Sequence, residues 1–171
     1  MAERIGNSWV DEKRCGKCGY LQCCCVISGG GLTYNSEDLS ELNAGGGSLS
    51  EAENKIRELL ATGEYVVEVH IITTGDGSST VYTIGANYEH DFDWRPCVHY
   101  DPEIGCKIYE NRPALCREFK PGDGDEGCDI DGEVRYAIYN SWLPYQEILK
   151  NLYDAQEPRA DRNSNTVFSL S

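Results

Sequence analysis

Residues 65–84 read YVVEVHIITTGDGSSTVYTI, and this stretch decides the fold class. Side chains alternate across an extended chain, so Tyr65, Val67, Val69 and Ile71 share one face of a strand over residues 65–72. Gly75-Asp76-Gly77-Ser78-Ser79 supplies a turn, and residues 80–84 read as the returning strand of a β-hairpin. Just upstream, Ser50 with Glu53 three residues on predicts a capping box that opens a helix. Ile56, Leu59 and Leu60 form its apolar stripe and Gly63 its stop. Further upstream, residues 36–42 read as a short helix-like piece between the glycine runs 29–31 and 45–47. Downstream, residues 133–154 carry Ile138, Trp142, Leu143, Ile148, Leu149 and Leu152 as a carboxy-terminal helix that Pro144 kinks or divides.

At 171 residues and 40% hydrophobic content the chain holds enough apolar material for one ordinary core. Residues 1–14 lack the charged-then-apolar character of a secretory signal, and no apolar run is long enough to cross a bilayer. The expectation is therefore a cytoplasmic protein whose thiols stay reduced, where clustered cysteines serve as metal ligands and not as disulfides. The odd count of nine cysteines points the same way. The formal charge of -14, from 29 Asp and Glu against 15 Lys and Arg, repels phosphate backbones and anionic lipid. Neither nucleic acid nor a membrane is expected as a partner. The same acidity also serves plain solubility.

The cysteines fall into two groups, Cys15, Cys18, Cys23, Cys24 and Cys25, then Cys97, Cys106, Cys116 and Cys128. Cys15-Gly-Lys-Cys18 suits chelation because its turn aims both sulfurs at one centre, with Gly16 and Gly19 relaxing the backbone. Cys23, Cys24 and Cys25 cannot all face one metal, since neighbours in an extended chain project to opposite sides. Either one cluster with a packed spare thiol or two adjacent sites satisfies this pattern. In the second group Pro113 is placed to open a short helix carrying Cys116 near its first turn, where the helix dipole favours a thiolate. Buried cysteines acting as small hydrophobes would explain one or two thiols, hardly nine in so polar a chain.

Cys15-x-x-Cys18 with adjacent cysteines after it, Cys97, the string CKIYENRPALCREF from Cys106 to Phe119, and Cys128 together resemble the YkgJ-type CxxCxxCC cysteine-cluster family. That family is described as zinc- or iron-chelating, and the cysteine-rich part of flagellin lysine N-methylase is similar to it. The likeness spans about residues 15–128 and is most specific from Ile108 to Pro113 and on into Cys116 and Arg117. One departure stands out: Gly19, Tyr20, Leu21 and Gln22 precede three cysteines here, where the family has two residues and then two cysteines. The resemblance implies that the nine cysteines are the metal-ligand set, less whichever of Cys23, Cys24 and Cys25 is surplus. Arg112 and Arg117 would then offset the negative charge of a thiolate-ligated cofactor. Surface ion pairs with Glu110 or Glu118 are their alternative role.

His99, two residues after Cys97, reads as a non-ligand, since thiols are plentiful. His70 and His90 have no marking partner, and the run Asp123-Gly-Asp125 lacks the spacing of a calcium loop. No nucleophile, nucleotide-binding or hydrolase motif is present. The fold expected is α+β, a small irregular metal-stapled domain with a β-hairpin and a few short helices over residues 1–155, followed by a polar tail, 156–171. The leading functional reading is an iron-sulfur protein, with a 4Fe-4S cluster, acting as an oxidoreductase or as a factor in protein modification. A structural zinc module that binds a protein partner is the alternative, and metal storage or delivery the third.

Overall fold

The computed structural model describes residues 3–5, 8–10, 33–39, 48–87, 98–101, 105–118, 130–156 and 166–169. In chain order the elements are β1 (Glu3–Ile5), β2 (Ser8–Val10), α1 (Leu49–Ala61), β3 (Tyr65–Thr74), β4 (Gly77–Ala86), β5 (Tyr100–Asp101) and β6 (Gly105–Cys106). Then follow α2 (Ala114–Glu118), α3 (Gly132–Asn140), α4 (Gln146–Ala155) and β7 (Thr166–Ser169). Single 3-10 turns occupy Ser36–Asp38, Tyr109–Asn111 and Leu143–Tyr145. The class is α+β, as the hairpin and the short helices predict.

The hairpin is longer and tighter than the sequence suggests. β3 and β4 pair in antiparallel register from Tyr65↔Ala86 to Thr74↔Gly77, which leaves Gly75 and Asp76 as the loop. Gly77 sits at φ +133°, a conformation costly for any residue with a Cβ, and it absorbs the bend that lets the ladder run to its end. β7 then adds to β3 in parallel, from His70↔Thr166 to Thr73↔Ser169, so the sheet order is β4-β3-β7. Part of the stretch read as a polar tail thus contributes a strand.

The expected single apolar face, Tyr65, Val67, Val69 and Ile71, is only half of the arrangement. Val67 is buried on that side, whereas His70 and Ile72, of opposite parity, are buried on the other. The cause is layering: the hairpin is a middle layer with helices on both faces. On one face Val67, Ile84 and Ala86 join Ala52, Ile56 and Leu59 of α1 and Ile148, Leu149 and Leu152 of α4. On the other, Ile72 and Val81 join Ala114 and Leu115 of α2, Ile130, and Ile138 and Tyr139 of α3. Burying an aliphatic side chain of this size contributes about 1.5–3 kcal/mol, so both faces stabilise the sheet.

Residues 33–39 lie along the free edge of β4. The Tyr34 amide donates to the Ile84 carbonyl at 2.9 Å, and Thr33 bridges Gly85. Beyond them the side chain of Gln146 takes the place of a strand: its Oε1 accepts from the Tyr82 amide at 2.8 Å and its Nε2 donates to the Tyr82 carbonyl at 2.7 Å. Such cover blunts an edge that would otherwise recruit another chain. Pro144 divides the last helical region, as predicted, and the break leaves Leu143 54% exposed instead of in the apolar stripe.

The cap of α1 also differs in position. Ser48, not Ser50, is the N-cap: its Oγ accepts from the Glu51 amide, and the Glu51 carboxylate accepts from the Ser48 amide at 2.7 Å. The shift starts the helix two residues earlier, with Ile56 and Leu59 inward. Ser48→Ala should therefore lower stability by about 1 kcal/mol. Ser50→Ala, inside the first turn and exposed, should be neutral or slightly stabilising in urea unfolding. Equal losses for the two variants would contradict the observed cap.

Candidate metal centre

Pro113 fixes the backbone ahead of α2, and its carbonyl accepts the first helical bond, from the Arg117 amide at 3.1 Å. The five-residue helix carries Cys116 as its third residue. Cys116 is 5% exposed and belongs to the same apolar cluster as Tyr34, Leu39 and Trp142, whereas its neighbours Ala114 and Leu115 belong to the cluster on the other face. So α2 sits where the two clusters meet, at the β4 edge.

Two other described segments, 33–39 and 8–10, neighbour this helix. The Leu115 amide donates to the Thr33 carbonyl at 3.1 Å. The Arg117 guanidinium donates through Nη1 to the Arg112 carbonyl at 2.8 Å and pairs through Nη2 with the Asp38 carboxylate. β2 packs against α2 from the amino-terminal side. The described residues on either side of 11–32, the stretch that carries Cys15, Cys18, Cys23, Cys24 and Cys25, are therefore both neighbours of the Cys116 helix.

Val98, next after Cys97, donates its amide to the Asn87 carbonyl at 3.0 Å, just past the end of β4 where Thr33 bridges Gly85. Cys106 is in β6, its backbone paired with Tyr100. Ile130, two residues after Cys128, is buried with Ala114 and Leu115. Cys15, Cys18, Cys23, Cys24, Cys25, Cys97 and Cys128 themselves lie outside the described residues, as do the Cys106 side chain, His90 and Asp123. Among the described residues no three His, Cys, Asp or Glu side chains gather in a metal-binding group.

Arg112 and Arg117 differ in setting. Arg112 is 4% exposed, four residues before Cys116, and a buried guanidinium lowers the cost of holding thiolates nearby. Arg117 is the clamp between α2 and the Ser36–Asp38 turn. The partner that sequence reasoning offered for it was Glu110 or Glu118, while the structure supplies Asp38, 79 residues away, which no local pattern reveals. His99 is buried, and that burial foremost holds its imidazole below the usual histidine range, against the opposing pull of Glu64 and together with Lys107. A neutral imidazole results.

Thiols in this number, one of them buried on a helix preceded by a buried cation, are a donor set suited to a soft metal. Residues 14–129 match the CxxCxxCC family, described as "Putative zinc- or iron-chelating domain". The chain belongs to that family. The match begins just before Cys15 and ends just after Cys128, so the CxxCxxCC region encloses all nine cysteines and the hairpin between the two groups. No curated protein and no solved structure matches the chain. No described helix is long and apolar enough to cross a membrane.

Sequence reasoning passed over one set of polar side chains, buried Thr33 and Thr83 and partly buried Glu68, that surround His70, for which it found no marking partner. A signal for part of it exists: Glu68 and His70, two apart in a strand otherwise rich in Val and Ile, mark a face that is not simply apolar. Thr33 carries no such mark.

Proposed function

We propose that this CxxCxxCC protein holds an iron-sulfur centre of the 4Fe-4S type and serves in electron transfer or as a factor in protein modification. The observation that supports the reading is the setting of α2: both described flanks of residues 11–32 neighbour it, Ile130 shares a buried cluster with Ala114 and Leu115, and Val98 bonds to Asn87 two residues beyond the Gly85 that Thr33 bridges. Cys15, Cys18, Cys97, Cys106, Cys116 and Cys128 would supply ligands together with members of the Cys23-Cys24-Cys25 run. Arg112 would offset the charge of the thiolates. Bound there, such a centre supplies one-electron chemistry. The net charge of -14 favours a protein partner over nucleic acid or an anionic membrane surface, and a cytoplasmic setting would keep the thiols reduced.

Elemental analysis of protein purified without oxygen tests this directly. Iron and inorganic sulfide in equal amounts, with broad visible absorption, are expected. Stoichiometric zinc in a colourless protein would replace the redox reading with a structural zinc module that presents a surface to a protein partner. Protein free of both metals would overturn metal binding altogether.

A further inference from the structure

We infer that Thr33 and Glu68 are positioning residues for the metal centre: the Glu68 carboxylate, seated over Gly85, holds the Thr33 hydroxyl and so keeps the Thr33 carbonyl on the Leu115 amide beside Cys116. The inference rests on the metal-centre reading above. Thr33 is fully buried, and its Oγ1 donates to Glu68 Oε2 at 2.8 Å. Its carbonyl faces the other way, accepting from Leu115. One residue thus joins the middle of the sheet to the cysteine-bearing helix, at the point where residues 11–32 end.

The Glu68 carboxylate occupies the space over Gly85 that a Cβ there would enter, so a larger residue at 85 would have to move the carboxylate aside. Gly85 is also the residue that Thr33 bridges. His70 completes the network, sharing a 2.9 Å hydrogen bond between Nε2 and Thr83 Oγ1, with Thr33 Oγ1 at 3.4 Å and Glu68 Oε2 at 3.6 Å. The Tyr139 ring stacks on the imidazole at 4.4 Å and closes that side. Holding a partly buried carboxylate, a buried imidazole and two buried hydroxyls between apolar clusters costs more than an all-apolar packing. What the network confers is a fixed position, and the position it fixes is that of Thr33.

Two variants loosen this clasp from opposite sides. Thr33→Val keeps the shape and removes the hydroxyl; Gly85→Ala drives the Glu68 carboxylate off its seat. Both should transfer metal to a colorimetric chelator about tenfold faster than wild type, the scale of one hydrogen bond to a charged group. In chelator-treated protein the Leu115 amide should exchange its hydrogen faster by a similar factor. Thr33→Ser, which restores the hydroxyl, should return both rates close to wild type. If Thr33→Val matches wild type in both measurements, or if Thr33→Ser is as fast as Thr33→Val, the positioning role is overturned while metal binding stands. Faster Leu115 exchange in a protein that takes up no metal would overturn the metal-centre reading, and the positioning role with it.

Discussion

Cys116→Ser is expected to empty the centre of its metal and to lower the melting temperature in the same step. A serine hydroxyl deprotonates poorly and binds soft metals weakly, so the variant retains the shape of the thiol but not its function as a ligand. Because Cys116 is buried, serine also brings a hydroxyl into an apolar cluster, a cost unrelated to metal. Cys116→Ala separates the two effects, since it removes the sulfur without adding a polar group. If Cys116 is a ligand, both variants lack metal as purified. Chelator-treated wild type should then melt close to Cys116→Ala, the shared loss being the binding energy that metal adds to folding. Cys25→Ser is the contrasting variant, because one member of the triple run is surplus to the family pattern. Full metal content in both Cys116 variants would remove the second cysteine group from the ligand set.

Features set by neighbours in the chain were legible in the sequence. Pro113 announced α2, Gly63 at φ +78° the end of α1, Pro144 the division of the last helical region, and the alternation over residues 65–72 the hairpin. Each rests on a backbone constraint or a side-chain period that is present before any tertiary contact forms. The cap at Ser48 was missed because serines at 48 and 50 are both followed three residues later by Glu, at 51 and 53. Only the register of the buried stripe decides between them. The two-faced hairpin was missed for a different reason. Half-buried Val69 and Ile71 look as apolar in sequence as fully buried Val67, and what covers the His70 face comes from Thr33, Ala114, Leu115, Ile130, Ile138 and Tyr139, distant in the chain. The candidate centre divides in the same way. The cysteine spacing offered candidate ligands, whereas the ties that bring α2, Thr33 and Asp38 together span 79 to 82 residues and carry no local signature.

The core should stand without the metal, and Trp142 is where that claim can be tested most sharply. Its side chain is wholly buried, packed in the cluster that joins α1, α4 and the hairpin, with the Tyr145 ring edge-on at 6.0 Å. Its indole Nε1 donates to the Tyr34 carbonyl at 2.7 Å, across 108 residues of sequence. Ser141, one residue before Trp142, repeats the connection with Ser36, two residues after Tyr34: the Ser36 amide donates to Ser141 Oγ at 2.9 Å and Ser36 Oγ donates to the Ser141 carbonyl at 2.7 Å. Trp142→Ala should therefore cost about 3–5 kcal/mol, through lost burial and the cavity left behind. Trp142→Phe keeps most of the apolar contact but withdraws the donor from Tyr34, and about 1–3 kcal/mol is expected. Urea unfolding of the chelator-treated and the metal-loaded protein should give the same losses in both, because the Trp142–Tyr34 and Ser36–Ser141 hydrogen bonds involve no cysteine and most of the cluster around Trp142 is aliphatic or aromatic. Should chelator-treated wild type show no cooperative transition, so that neither Trp142 variant can lose anything further, the hairpin and its helices would depend on the metal for their folding, and the two-faced core would not be the independent scaffold on which the cysteine segments are hung.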